Sequence, residues 1–165
     1  MKLLSMWNQR PAILVAEDNA DDALILERTL RKVGIRNPIQ IVRDGSEAIA
    51  YLKGSGPYHD RTAFPFPGVV ITDLKMPKVN GFEVLKWLKN HPECSVIPVV
   101  VLTGSAIESD VVLAHQLHAN CYLQKPTSAD EFARMLQLLF NFWHMCKIPK
   151  LTSSVCAEDN PPDKK

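Results

Sequence analysis

Short apolar runs alternate along the chain with segments of helical period. The runs are Ala12 to Ala16, Ile39 to Val42, Val69 to Thr72, Val99 to Leu102 and a weaker one at Cys121 to Gln124. Three of them are continuous rather than alternating, which is typical of strands buried on both faces of a parallel sheet. The pattern therefore predicts five strands, most of them fully buried.

Helices are predicted between the strands. The first carries Ala23, Leu26, Leu30 and Val33 at helical spacing, with Asn19 as its N-cap and Gly34 at its end. The others are predicted at Ser46 to Lys53, Phe82 to Asn90, Glu108 to His118 and Ala129 to Cys146, the last opened by Ser128 and Glu131 at capping-box spacing. Because right-handed crossovers place helices on both faces of a parallel sheet, we expect a three-layer α/β domain.

One domain accounts for most of the 165 residues. We assign residues 12–146 to it and residues 1–11 to an N-terminal extension. Residues 54–68, which are rich in Gly and Pro, are predicted to form a long ordered loop. Residues 147–165 are polar and Pro-rich, and we predict a disordered tail there.

Composition excludes several functions. The 19 basic and 18 acidic residues give a net charge of +1, so no bulk basic field favours direct nucleic-acid binding. No apolar run approaches the roughly 20 residues of a membrane span, and the first residues are too polar for a secretory signal. The four cysteines form no CxxC pair, and no zinc or iron pattern is present. We expect a cytoplasmic protein.

Polar side chains follow four of the predicted strands. Glu17 and Asp18 come after the first strand, Asp73 after the third, Thr103 after the fourth and Lys125 after the fifth. Any one of these residues alone is explained as a cap, a turn residue or a surface charge. Ligands of open parallel sheets, however, bind beyond the carboxyl ends of the strands. We therefore predict one site at this edge.

The residue types in this site indicate phosphoryl chemistry. Three converging carboxylates repel one another unless a cation lies among them, and oxygen ligands favour Mg²⁺. A nucleophilic aspartate such as Asp73 can form an aspartyl phosphate. Thr103 can donate a hydrogen bond to a phosphoryl oxygen, and Lys125 can neutralise another.

Four motifs at these separations carry a family resemblance. The stretches "ILVAEDNADD", "VVITDLKMPKVNG", "VVVLTGS" and "CYLQKP" resemble the receiver domain of bacterial two-component response regulators over residues 12 to 146. The resemblance implies a flavodoxin-like, doubly wound parallel sheet with strand order 2-1-3-4-5. It also implies a single-domain response regulator of a phosphorelay, which accepts phosphate from a histidine kinase and signals through protein–protein contacts.

The resemblance assigns a role to each motif position. It implies that Asp73 is the phosphoacceptor, Glu17 and Asp18 the acidic pair that binds the metal with Asp73, Thr103 the switch hydroxyl, Tyr122 the switch aromatic and Lys125 the phosphate-binding lysine. It further implies that the backbone carbonyl of Lys75 binds the metal, that Lys75 and Ser105 flank the path of attacking water, and that the Lys125–Pro126 bond is cis.

A narrower resemblance concerns the kinase partner. The stretches "LHANCYLQKP" and "FNFWHMCKIP", together with the loop at 54–68, resemble small stand-alone regulators that serve phytochrome-type sensor kinases. A phytochrome-type sensor histidine kinase is therefore the expected partner.

Two other functions compete with a phosphorylation switch. A hydrolase of the haloacid dehalogenase type requires a second Asp two positions after the nucleophile, and Lys75 stands there. A phosphorylation-independent scaffold would not need Asp73, Thr103 and Lys125 together. We expect a signalling protein rather than an enzyme, and a phosphorylation assay decides between the switch and the scaffold.

The last predicted helix is more apolar than one face against a sheet requires. Its apolar residues are Phe132, Met135, Leu136, Leu138, Leu139, Phe140, Phe142 and Trp143. An exposed apolar patch marks an interaction site, and a two-fold contact between identical chains covers one. We predict a homodimer whose face includes Phe140 and Trp143. Alternatively, Cys146, Ile148 and the tail fold over the excess.

Overall fold

The structure is a computed structural model that describes residues 11–147. The predicted N-terminal extension, apart from Pro11, lies outside the described residues, and so does the predicted tail apart from Lys147. None of the helices between residues 11 and 147 has the length and apolar character needed to cross a membrane.

Five parallel strands form one sheet in the order β2-β1-β3-β4-β5. The strands are Ala12–Ala16 (β1), Ile39–Val42 (β2), Pro67–Thr72 (β3), Val99–Thr103 (β4) and Cys121–Gln124 (β5). The predicted flavodoxin-like order is confirmed. Strand β3 begins two residues earlier than predicted and β4 ends one residue later.

A helix follows each strand. The helices are Ala20–Lys32 (α1), Gly45–Lys53 (α2), Gly81–Lys89 (α3), Glu108–Gln116 (α4) and Ala129–Met145 (α5). Asn19 caps α1 as predicted, because its side chain accepts hydrogen bonds from two backbone N–H groups of the first turn. Helix α4 ends two residues before its predicted end, since His118 adopts a left-handed backbone conformation with φ of 68°.

The sheet separates two apolar cores. Leu14 and Ala16 of β1 enter the core under α2, α3 and α4, whereas Ile13 and Val15 enter the core under α1 and α5. All five residues of β1 are buried. A strand covered by helices on both faces needs apolar residues at every position, and this explains its continuous run of apolar residues.

The predicted loop at 54–68 ends at Phe66, because β3 begins at Pro67, and it contains a short 3₁₀ helix at Gly56–Tyr58. Tyr51 at the end of α2 is fully buried, and its hydroxyl donates to Pro65 O at 2.7 Å. The Arg61 guanidinium donates to Tyr51 O at 2.8 Å and to Leu52 O at 2.7 Å. The loop thus adds donors at the end of α2, where the last carbonyl groups have few helical partners.

Helix α5 turns the residues of the predicted dimer face inward. Phe140 and Trp143 are 3% and 6% exposed and contact each other edge to face. The prediction that these two form the dimer face is wrong, because helical spacing directs them to the sheet. The exposed stripe of α5 consists of Leu138, Phe142 and Met145, at 61%, 62% and 87% exposure.

Candidate functional site

Three carboxylates converge at the carboxyl edge of the sheet. One oxygen from each of Glu17, Asp18 and Asp73 lies within 4.8 Å of the other two. Strands β1 and β3 are neighbours, and Asp73 N donates to Ala16 O at 3.0 Å, so Asp73 is held beside the end of β1. Glu17 is buried, Asp73 is half-buried and Asp18 is exposed. The structure therefore brings the three predicted acidic residues together.

The Lys125 ammonium joins this cluster from β5. Its Nζ lies 2.6 Å from Glu17 Oε2, 2.7 Å from Asp22 Oδ2 and 3.0 Å from Asp73 Oδ2. Lys125 N donates to Thr103 O at 2.8 Å, which extends the pairing of β4 and β5 by one residue and carries the lysine to the site. Lys125 is therefore the counter-ion of the acidic cluster.

The role of Asp22 was not predicted from the sequence. Asp22 lies in the first turn of α1, where an acidic residue has an ordinary explanation in the helix dipole. The sequence places Asp22 near the site, because α1 follows the end of β1, but it does not distinguish Asp22 from Asp21 in the same turn. The structure adds Asp22 to the site as a ligand of Lys125.

Burial and neighbouring charges shift the pKa values of Glu17 and Lys125 in opposite directions. Burial raises the pKa of Glu17, and the hydrogen bond from Lys125 offsets part of this increase. Burial alone would lower the pKa of Lys125, but the carboxylates of Asp22, Glu17 and Asp73 outweigh it and raise this pKa above its usual range. Lys125 therefore remains charged at neutral pH.

The backbone at Asp73 is held by hydrogen bonds to its own side chain and lies close to the start of α3. Asp73 Oδ1 accepts from Leu74 N at 2.6 Å and from Lys75 N at 3.3 Å, while Oδ2 faces Lys125. A Cβ on Gly81 would lie 2.1 Å from Asp73 O, so only glycine allows α3 to begin there. Asn80 caps α3 in a capping box with Glu83, so this helix begins at Gly81, one residue before its predicted start at Phe82.

The predicted switch residues form a connected group. Thr103 is buried, and its Oγ1 accepts from Ser105 N at 3.4 Å. The Tyr122 hydroxyl donates to Ser105 O at 3.1 Å, and the Ser105 hydroxyl donates to Asp110 Oδ2 at 2.6 Å. The Ser105 hydroxyl is thus bound to α4, whereas the Lys75 side chain is exposed. The effect of Lys75 and Ser105 on hydrolysis stays a prediction.

The prediction of a cis peptide bond between Lys125 and Pro126 is wrong. All peptide bonds between residues 11 and 147 are trans. Trans is the preferred form of an X–Pro bond, and the hydrogen bond from Lys125 N to Thr103 O already directs the lysine toward Asp73.

The donor set fits a divalent cation. Glu17, Asp18 and Asp73 offer carboxylate oxygens, which Mg²⁺ and Mn²⁺ accept as ligands. Two of the three are accessible to solvent, which leaves room for the waters that Mg²⁺ retains. The Lys125 ammonium, 2.6 Å from Glu17 Oε2, offsets part of the mutual repulsion between these carboxylates.

Comparison with known proteins agrees with this site. The family model described as response regulator receiver domain matches residues 13–137. Response regulator Rcp1 of Synechocystis sp. is 38% identical over 136 residues, which cover 82% of this chain and 90% of Rcp1. The chain therefore belongs to the response regulator receiver family, whose members are generally signalling proteins.

Solved structures of relatives share the fold. The Mn²⁺-bound form of Rcp1 is 36% identical with a TM-score of 0.76, over 85% of this chain and 99% of that one. The phosphorylated cyanobacterial phytochrome response regulator RcpA is 33% identical with a TM-score of 0.77, at the same coverage. The chain is thus a receiver-domain response regulator similar to regulators associated with phytochromes, and its acidic cluster suits divalent metal binding.

Proposed function

We propose that Asp73 accepts a phosphoryl group from a sensor histidine kinase. Glu17, Asp18 and Asp73 would hold Mg²⁺ together with the backbone carbonyl of Lys75. The observation that carries this proposal is the position of Asp73 Oδ2, 3.0 Å from Lys125 Nζ, within the carboxylate cluster. A nucleophile beside an ammonium and two further carboxylates suits transfer of an anionic group with a bound cation.

Asp73 Oδ2 is the oxygen placed for attack, since Oδ1 accepts two backbone N–H groups. The new bond joins a carboxylate oxygen of Asp73 to phosphorus, while the bond from phosphorus to the kinase histidine breaks and the imidazole keeps the electron pair. A bound Mg²⁺ would offset the repulsion between the carboxylates and the incoming phosphoryl group. Lys125 supplies the second positive charge, so it has to exchange part of its contact with Glu17 and Asp22 for a phosphoryl oxygen.

The signal would pass through the switch residues. Thr103 moves toward the phosphoryl group, and this breaks the hydrogen bond that its Oγ1 accepts from Ser105 N. Tyr122 then loses the support of Ser105 O and turns inward. A phosphoryl group shifts this equilibrium only by binding Thr103 and Lys125 better in the active state. The surface of α4, β5 and α5 would change, and protein–protein contacts would carry the output.

A phytochrome-type sensor kinase is the proposed partner. The similarity to RcpA, a cyanobacterial phytochrome response regulator, supports this choice. The net charge of +1 supports output through protein contacts rather than direct nucleic-acid binding. The cytoplasmic location stays a prediction.

We also propose a homodimer through the exposed stripe of α5. Leu138, Phe142 and Met145 form this stripe, and Phe142 also lines a groove of about 400 Å³ with Val96 and Cys121. The groove lies at the amino ends of β4 and β5, at the opposite edge of the sheet from Asp73. An apolar stripe next to an apolar groove is a surface that a second copy can cover.

Intact-mass analysis after treatment with acetyl phosphate tests phosphorylation. We expect a single phosphoryl adduct that requires Mg²⁺ and is absent in Asp73→Asn. Asp21→Asn, which removes an exposed carboxylate from the first turn of α1, is the matched control and should be phosphorylated like the wild type. An adduct that persists in Asp73→Asn, or that forms equally well with a chelator, would contradict the proposal.

A further inference from the structure

The end of β2 also delivers a carboxylate to the functional edge, but this one is used differently. Asp44 follows β2 and is 2% exposed. Its Oδ2 lies 2.7 Å from Lys78 Nζ, and its Oδ1 accepts hydrogen bonds from the Ser46 hydroxyl and from Glu47 N at 2.9 Å. Asp44 thus caps α2 and at the same time binds a lysine of the loop between β3 and α3.

Lys78 is held in an unfavourable backbone conformation. Its φ is 60°, in the left-handed region where residues other than glycine, Asn and Asp are uncommon. Such a conformation persists only where the surroundings impose it. The ion pair with Asp44 contributes to this restraint, and Gly45 N donates to Val79 O at 2.9 Å directly beside it.

Helix α2 and the loop approach too closely for another residue at the contact. A Cβ on Gly45 would lie 2.5 Å from Val79 O and 2.9 Å from the Val84 side chain. The beginning of α2 therefore contacts the loop through backbone atoms as well as through the ion pair. Two independent connections on consecutive residues, Lys78 and Val79, fix the far end of the loop.

The near end of this loop is Asp73. Leu74 and Met76 are buried in the core, whereas Lys75 lies between them with an exposed side chain and a backbone N–H directed to Asp73 Oδ1. Lys75 has no side-chain anchor among the described hydrogen bonds and ion pairs, so the position of its backbone depends on its neighbours in the loop. Only Met76 and Pro77 separate it from Lys78 of the ion pair.

We propose that Asp44 is a positioning residue that, through Lys78, fixes the backbone of Lys75 at the acidic cluster. The inference rests on the proposed function, because that function takes the Lys75 carbonyl as a metal ligand. Loss of the ion pair leaves only the hydrogen bond from Gly45 N to Val79 O at the far end of the loop. The loop is then held less firmly, and the Lys75 carbonyl spends less time in the orientation that binds the cation. Metal affinity therefore falls although no proposed ligand has changed.

Substitutions can separate this role from helix capping. Asn caps helices as well as Asp does, so Asp44→Asn keeps the start of α2 and removes only the charge. Lys78→Gln removes the ammonium and retains a side chain of similar length. Lys86→Gln is the matched control, since Lys86 is an exposed lysine on α3, and its substitution causes the same change in net charge.

Two measurements on the whole chain test the proposal. Calorimetric titration gives the dissociation constant for Mn²⁺, and amide hydrogen exchange of the metal-free protein reports the Lys75 N–H. We expect Asp44→Asn and Lys78→Gln to weaken Mn²⁺ binding about three- to tenfold and to accelerate exchange at Lys75. The double variant should resemble either single variant, because the two residues act as one pair. Lys86→Gln should match the wild type.

Unchanged Mn²⁺ affinity and unchanged exchange in folded Asp44→Asn would overturn the proposal, and additive effects in the double variant would overturn the role of the pair. Failure of the proposed function gives a different result. Wild type that binds no Mn²⁺, or Asp18→Asn that binds it equally well, would remove the metal site itself. Exchange at Lys75, measured without metal, still decides whether Asp44 fixes this backbone.

Discussion

Asp22 Oδ2 lies 2.7 Å from Lys125 Nζ, so a carboxylate outside the predicted cluster holds the lysine that a phosphoryl group on Asp73 would require. The contact comes from the first turn of α1 and is partly exposed to solvent. Asp22 would therefore compete with a phosphoryl group on Asp73 for the same ammonium.

Asp22→Asn should favour phosphorylation of Asp73. Removal of this competing carboxylate frees Lys125, and a partly exposed ion pair worth up to about 1 kcal/mol corresponds to about two- to fivefold. The measurement is the phosphorylated fraction at limiting acetyl phosphate. Asp21→Asn changes the net charge equally without contacting Lys125, and an equal gain in both variants would show that only overall charge matters.

Gly81→Ala should disrupt the site and the fold together. The added methyl group would lie 2.1 Å from Asp73 O, a backbone atom that cannot move independently of the acceptor. We expect a loss of about 2 kcal/mol or more in the free energy of unfolding, measured by urea denaturation. Gly104→Ala is the matched control, because nothing lies within 4 Å of its Cβ position. Equal stability of the two variants would refute the argument.

The Asp44 carboxylate should increase the free energy of unfolding at neutral pH but not at acidic pH. Burial raises its pKa, but Lys78, Ser46 and the backbone of Glu47 outweigh burial and lower the pKa from 3.8 to about 2. A lowered pKa contributes stability above the unfolded value, and this contribution is lost as the pH falls from about 4 to about 2.

The comparison of wild type with Asp44→Asn isolates this contribution. We expect the wild type to be more stable at pH 7 by on the order of 1 kcal/mol, because the Lys78 partner is in solvent and the pair is screened. The difference in the free energy of unfolding should be largely lost as the pH falls through about 2. A difference that is the same at both pH values would mean that the charge of Asp44 is not its cause.

Lys75→Ala should shorten the lifetime of the phosphorylated protein. Lys75 is two residues beyond Asp73 with an exposed side chain, so its stem can obstruct attacking water and its charge can hold phosphoryl oxygens. The decay of the adduct after removal of acetyl phosphate gives the lifetime. Lys86→Ala on α3 serves as the control, and a lifetime of Lys75→Ala equal to or longer than that of the wild type would count against this role.

Phe142→Glu should convert the proposed dimer to monomers. Phe142 is 62% exposed on the stripe of α5, so a charge there opposes burial in an interface without disturbing the core. Sedimentation with and without acetyl phosphate measures the association, which we expect phosphorylation to strengthen. Ile25→Glu alters a residue of α1 that is 52% exposed and should leave the dimer intact. A wild type that is monomeric in every condition would exclude the dimer.

The central strand, the helix caps and the acidic cluster could be predicted from the sequence, because one local physical requirement determines each of them. The residues of β1 alternate between two buried cores, so their apolar run could only be a central strand. Asn19 and Ser128 cap α1 and α5 at positions that local backbone geometry demands. The acidic cluster could be predicted because the carboxyl ends of parallel strands lie at the same edge of the sheet.

The remaining features depend on how elements pack. Helix α5 is apolar on more than one side, and only its orientation on the sheet decides that Phe140 is buried and Phe142 exposed. Whether Asp22 or Asp21 reaches Lys125 depends on the rotation of α1 relative to β5, which no local pattern specifies. The ion pair of Asp44 and Lys78 joins residues 34 positions apart and has no local signature.

The loop at 54–68 has a consequence for protein engineering. Long surface loops usually accept insertions, because added length costs little entropy. Here the guanidinium of Arg61 binds two carbonyl groups at the end of α2 and lies over the ring of Phe66, with 4.0 Å to the ring centroid. A fluorescent reporter inserted beside Arg61 would displace the guanidinium and remove its hydrogen bonds to both carbonyl groups. In spite of its length, this loop is a poor place for an inserted domain.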